Sequence, residues 1–145
     1  MTDVSVIVLD IDGGEMLLAC LDSIAAQTIP PREVIVFDNG SRIPVAQRIA
    51  FRHGLHIFRS ESNLGFAGGN NAAYRKSAGT YVALINNDVT LDRDWLATVS
   101  AALDADPKLA AVQTILRRDD TTIDGAGIDI SDGTFKQAGR GGAAH

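Results

Sequence analysis

Asn86-Asn87-Asp88 closes an uninterrupted apolar run. In an extended segment residues i and i+2 point to one side, so Asn86 and Asp88 can face one ligand together. A carboxylate beside a neutral amide suits a hard divalent cation whose shell is completed by phosphate oxygens and water. The same triplet also serves as a polar turn in which Asp88 caps the next element. A second stretch is Gly65-Phe66-Ala67-Gly68-Gly69-Asn70-Asn71. Its glycines permit close backbone approach, and a helix opening beyond them offers free N–H groups and a positive dipole end to a phosphate. A tight structural turn is the alternative. The stretch is not a P-loop, since no Gly-Lys-Ser/Thr follows, and it lacks the Gly-x-Gly-x-x-Gly order of dinucleotide sites. Polar residues also gather at Asp10-Ile11-Asp12 and at Asp38-Asn39-Gly40-Ser41. These clusters could converge on one crevice, although strand–helix turns collect Asp, Asn and Gly in any case.

Other candidates carry less. His53 and His56 have no carboxylate at ligand spacing and read as surface residues, and no serine sits in a Gly-x-Ser-x-Gly elbow. Cys20 falls on an apolar helix face, as a small core residue does. Being the only cysteine, it excludes an intrachain disulfide and a thiolate zinc cage.

The elements that must position these residues alternate in type. The chain has 145 residues, 46% hydrophobic and 21% charged, enough for one domain with a real core. Short β-branched or apolar runs predict strands at 5–9, 33–37, 55–58, 80–85 and 110–116. Helical spacing of Leu17, Leu21 and Ile24 predicts a first helix that stops before Pro30-Pro31. Further helices are expected over 45–52, 70–76 and 92–106, the third preceded by the glycine-rich loop 63–69. Such alternation implies a parallel sheet covered by helices on both faces. After Asp119 the pattern fades, with a hairpin expected around Asp132-Gly133 and a glycine-rich tail at 139–145. In an open sheet of this class ligands bind outside the carboxyl ends of the strands, where the polar clusters fall.

Thirteen basic against 18 acidic residues leave a net charge of −5, which argues against binding nucleic acid or an anionic membrane through bulk charge. No apolar run is long enough to span a bilayer, and the N-terminus lacks a signal-peptide pattern. A cytoplasmic protein is expected.

Taken in order, these segments resemble the inverting glycosyltransferases of family 2, especially the rhamnosyltransferase-like members that build cell-surface polysaccharides. Val4-Ser5-Val6-Ile7-Val8 is similar to the opening strand, and Cys20-Leu21-Asp22-Ser23-Ile24 with Gln27-Thr28 to the first helix. Val36-Phe37-Asp38-Asn39-Gly40-Ser41 resembles the second strand and its nucleotide-contacting turn. Asn63-Leu64-Gly65-Phe66-Ala67-Gly68-Gly69-Asn70-Asn71 and Leu84-Ile85-Asn86-Asn87-Asp88 are the most specific matches. Trp95-Leu96, Asp106-Pro107 and Ile123-Asp124-Gly125-Ala126-Gly127 extend the likeness to about residue 127.

The resemblance implies an α/β, Rossmann-like GT-A fold and a nucleotide-diphosphate-sugar donor (UDP-, dTDP- or GDP-sugar), with a saccharide acceptor and Mg²⁺ or Mn²⁺ as cofactor. Residues 1–127 would form the nucleotide-sugar-binding part, and 128–145 the glycine-rich start of an acceptor-side region. The expected nucleotide-binding set is Asp10, Ile11, Asp12, Asp38, Asn39, Gly65, Gly69, Asn70, Asn86 and Asn87. Within it Asp38 would hydrogen-bond the base, and 10–12 would border base and ribose. Asn86 and Asp88 stand where the family has Asp-x-Asp, with Asp88 the metal ligand. Asp10-Ile11-Asp12 departs from the family's Asn-rich, often Tyr-containing segment, and is expected to bring negative charge near a diphosphate. The family's catalytic carboxylate belongs to a Glu-Asp-type motif that residues 128–145 do not contain, so the chain alone is expected to be inactive. A non-catalytic nucleotide-sugar-binding module or a degenerate paralogue is the alternative function.

Overall fold

The computed structural model describes residues 3–49, 54–119, 122–126, 128–129 and 136–137. His53, the Asp132-Gly133 turn and the tail 139–145 lie outside them. The first unit, Met1–Ser100, is built on β1 (Val4–Asp10), β2 (Glu33–Asn39), β3 (Leu55–Ser60) and β4 (Tyr81–Asn86). All pair in parallel in the order β3-β2-β1-β4. The strands β1 and β2 lie inside the sheet and are covered on both faces, which is why their sequences are continuously apolar rather than alternating.

The covering helices are α1 (Gly14–Ala25), the single turn α2 (Val45–Arg48), α3 (Gly65–Tyr74) and α4 (Trp95–Ala105). Val4, Val6 and Val8 point to one face, where Leu17, Cys20, Leu21 and Ile24 of α1 meet Leu96 and Val99 of α4. Ile7, Ile35 and Phe37 point to the other, where Ala73 of α3 packs. Chain order therefore runs outward from β1 to β3 and then returns through α3 to β4 on the opposite side of β1. The carboxyl ends of β1 and β4 flank a topological switch point, where open α/β sheets form their crevice.

Three expectations change. The glycine-rich stretch is not a loop before a helix at residue 70, because α3 begins at Gly65 and takes Gly68 and Gly69 into its first turns. Gly69 is there for packing: a Cβ would lie 2.5 Å from Leu9 Cδ1 and 3.2 Å from Asn39 Nδ2. The second helix ends at Arg48, with Ile49 already extended. Residues 110–115 form no strand. Apolar β-branched residues make a strand only when a neighbour completes the ladder, and here only Leu116–Arg117 pairs, as β5 with β6 (Ile123–Gly125).

In the second unit, Ala101–His145, β7 (Ile128–Asp129) also pairs antiparallel with β8 (Lys136–Gln137). That pairing brackets the expected hairpin. Among the described residues no helix is long and apolar enough to cross a membrane.

Candidate functional site

Asp10 ends β1, in register with Asp38 at the end of β2. Its side chain is fully buried, so each oxygen must find a protein partner. Oδ1 accepts from Asn87 Nδ2 at 2.6 Å and from the Gly13 N–H at 3.2 Å. Oδ2 accepts from Arg48 Nη2 at 2.6 Å. The carboxylate thus ties β1 to the end of β4 and to α2. Position 13 must be glycine for this to work, because a Cβ would lie 2.2 Å from Asp10 Oδ1 and 2.4 Å from Asn87 Nδ2. Asp10 supports the crevice from beneath rather than lining it.

Asp12 holds a left-handed backbone conformation, φ 54°, and its Oδ2 pairs with Arg42 Nε at 3.0 Å. The Arg42 N–H, 3.0 Å from Asp12 Oδ1, is the main reason its carboxyl lies below the ordinary range. Ile11 between them is exposed. Each of the two carboxylates is thus paired with an arginine, Asp10 with Arg48 and Asp12 with Arg42.

Asp38 is also buried. Oδ1 accepts from the Ser41 N–H at 2.8 Å, while Oδ2 accepts from the Val45 N–H at 3.0 Å and Arg59 Nη1 at 2.5 Å. Burial pulls its pKa upward, but the Val45 and Ser41 N–H groups, the Ser41 side chain and Arg59 outweigh this and hold it below the usual carboxylate range. Asn39 is committed as well. Its Nδ2 donates to Asn63 Oδ1 at 3.0 Å and the Gly65 carbonyl at 3.2 Å, and its Oδ1 accepts from the Leu64 N–H at 3.0 Å. It fixes the turn that starts α3.

Gly65 stands at that helix's first position, with φ 73°. Asn70 lies one turn on, buried, its Nδ2 donating to the Phe66 carbonyl at 3.0 Å. The Gly65 N–H is itself taken by Asn63 Oδ1 at 2.8 Å, and Gly69 and Asn70 face packed structure.

The end of β4 differs in kind. Asn86 and Asp88 are exposed, and Asp88 has no hydrogen-bond partner among the described residues. Beneath them lies Cys20, whose Sγ donates to the Asn86 carbonyl at 3.6 Å. Burial, then the charges of Asp88 and Asp10, push this thiol up to about 11, so it stays protonated and inert. Among the described residues no group of three or more His, Cys, Asp or Glu side chains could enclose a metal. One free carboxylate instead fits a Mg²⁺-type ion that takes its remaining ligands from diphosphate oxygens and water.

Arg48, Arg59 and Ser41 complete the crevice and were not among the expected site residues. Their bonds to Asp10 and Asp38 span up to 38 residues, and Ser41 accepts the Asp12 N–H at 3.0 Å. Only the Asp38-Asn39-Gly40-Ser41 turn signalled any of them in sequence. His56 is exposed, as expected, but stands 3.9 Å from Glu33 Oε2.

A parallel sheet with helices on both faces and a switch point is common to doubly wound α/β folds, and likeness to solved glycosyltransferases makes this one GT-A-like. The Glycosyl transferase family 2 model matches residues 5–138, and the chain belongs to that family. Solved structures agree on the fold. TarS 1–349 from S. aureus, in complex with UDP-GlcNAc, is 22% identical with a TM-score of 0.63, over 84% of this chain and 39% of that one. The mannosyltransferase PcManGT from Pyrobaculum calidifontis, in complex with GDP-Man and Mn²⁺, is 28% identical with a TM-score of 0.67, over 80% of this chain and 36% of that one. The chain thus spans well under half the length of these solved chains. No curated protein matches it.

Proposed function

We propose that the chain carries the donor site of a metal-dependent, inverting glycosyltransferase of the rhamnosyltransferase-like kind. Its donor is a UDP-, dTDP- or GDP-sugar and its acceptor a saccharide, in cell-surface polysaccharide synthesis at the inner face of the membrane. Membership of the family supports glycosyl transfer, and similar chains bound to UDP-GlcNAc or to GDP-Man with Mn²⁺ support the donor class.

The observation that carries the reading is the contrast among three carboxylates at neighbouring strand ends. Asp10 and Asp38 are buried and engaged, whereas Asp88 is exposed and without a described partner. A free carboxylate at the switch point is the group available to hold Mg²⁺ or Mn²⁺. The chemistry such an ion supplies is Lewis-acid stabilisation of charge on the departing nucleoside diphosphate. Asn86 stands beside it for the diphosphate, and the N-terminal end of α3 adds the positive end of its dipole. Ile11 and Asp12 border the base and ribose. Asp38, Asn39 and Asn87 shape that surface from within, Asp38 bearing on base recognition through the Ser41–Val45 turn that it holds.

Calorimetry with UDP and GDP, in Mn²⁺ and in EDTA, tests the reading. Binding is expected to depend on the metal, and Asp88→Ala to weaken it in Mn²⁺ by about tenfold or more. Equal affinity in EDTA, or an unaffected Asp88→Ala variant, removes the metal role.

A further inference from the structure

Asp88 is exposed and its side chain makes no hydrogen bond among the described residues, yet a crevice carboxylate must be held still to serve as a ligand. One face of α1 supplies the restraint. Cys20, Ser23 and Gln27 fall at i, i+3 and i+7, one above another on the helix and its C-terminal extension. Each bonds to the backbone of 86–96, the segment that contains Asp88. Cys20 Sγ donates to the Asn86 carbonyl at 3.6 Å. Ser23 Oγ accepts the Leu91 N–H at 3.1 Å while donating to the Cys20 carbonyl at 2.7 Å. Gln27 is buried and spends both ends of its amide: Nε2 donates to the Asp92 carbonyl at 2.8 Å, and Oε1 accepts the Leu96 N–H at 2.8 Å. The Thr28 N–H adds a bond to the Arg93 carbonyl at 3.0 Å. Gln27, just past the end of α1, thereby caps the start of α4, satisfying an N–H that has no partner within α4.

We infer that Ser23 and Gln27 are positioning residues for Asp88: they fix the backbone on which it stands and so set metal-dependent donor affinity without touching the donor. Bonds to main-chain groups act on the path of the segment whatever its side chains are. Asn87, held by buried Asp10 at 2.6 Å, fixes the same segment from the other side. The inference rests on the donor-site reading and assigns its geometry to α1.

The test compares wild type with Ser23→Ala, Ser23→Thr and Gln27→Leu. UDP and GDP affinities are measured in Mn²⁺ and in EDTA, and hydrogen exchange is followed at the Leu91 and Leu96 amides. Ser23→Ala is expected to lower affinity in Mn²⁺ by about tenfold, equivalent to about 1.4 kcal/mol. Affinity in EDTA should hold, and Leu91 should exchange faster. Ser23→Thr keeps the hydroxyl and should restore both readouts. Gln27→Leu is expected to expose Leu96 to exchange and to lose the Mn²⁺ increment further. If Gln27→Leu does not fold, the two Ser23 variants decide. A wild type that binds in Mn²⁺ alongside a Ser23→Ala variant that binds equally well, or that loses both affinities in parallel, overturns the inference alone. A wild type with no Mn²⁺-dependent binding overturns the donor-site reading and the inference with it.

Discussion

At the scale of single residues, the crevice separates charges that support from a charge that is free. Asp10 and Arg48 form a pair whose side chains are 0% and 18% exposed, so Asp10 has no water to fall back on. Removing one partner leaves an unpaired buried charge, and Arg48→Ala is expected to cost about 3–5 kcal/mol, measured as a lower urea midpoint. A variant within about 0.5 kcal/mol of wild type would show that Asp10 is satisfied without it. Asp38 makes a separate prediction in pH. Its folded pKa is depressed, so its contribution is fully present above the unfolded value of about 3.9. That contribution is lost as pH falls through the lower folded value. The stability gap between wild type and Asp38→Asn should therefore be widest near neutrality and narrow below about pH 4. A gap that stays constant with pH would mean that the charge of Asp38 contributes nothing.

At the scale of elements, close approach between α3 and the sheet decides where the crevice opens. Gly69 lets the helix lie against Leu9 and Asn39, and Asn39 in turn holds the 63–65 turn. Gly69→Ala favours helix by propensity but drives a Cβ into Leu9. A net loss of about 1–3 kcal/mol is expected from overpacking, readable as a lower thermal midpoint. An unchanged or raised midpoint would show that α3 can move outward freely. The glycines were conspicuous in sequence, but their purpose was not. Spacing alone cannot tell a loop that cradles phosphate from a helix that must approach a strand.

At the scale of the whole molecule, the two units differ in how they hold their backbone. The strands β1 and β2 lie inside a four-stranded parallel sheet with apolar clusters on both faces. The β5–β6 pair is two-stranded, and both residues of β5 are exposed. Isolated two-stranded pairs are marginal in water. Hydrogen exchange should therefore find Ile7 and Ile35 amides protected up to global unfolding, while the Arg118 N–H, bonded to the Thr122 carbonyl at 2.9 Å, opens locally. Equal protection in the two units would overturn this picture.

By itself the sequence determined the alternation of strands and helices through β4, the burial of β1 and β2, and the polar character of the strand ends. Apolar runs and turn residues are local signals, and the sheet interior demands them at each position. The family likeness, too, lay in short ordered motifs. Tertiary structure alone decided which polar residues remain available to a ligand. Asp10, Asp38 and Asp88 look alike in the chain, each an acid at a strand end. The order β3-β2-β1-β4 brings Arg48 and Asn87 to Asp10, and Arg59 to Asp38, leaving Asp88 exposed. Those partners lie 38, 77 and 21 residues away from the acids they satisfy. An interaction over such separations exists only once the sheet has assembled, so no local pattern records it. The same holds for residues 110–115, whose composition suits a strand but whose state depends on a neighbour to complete the hydrogen bonds.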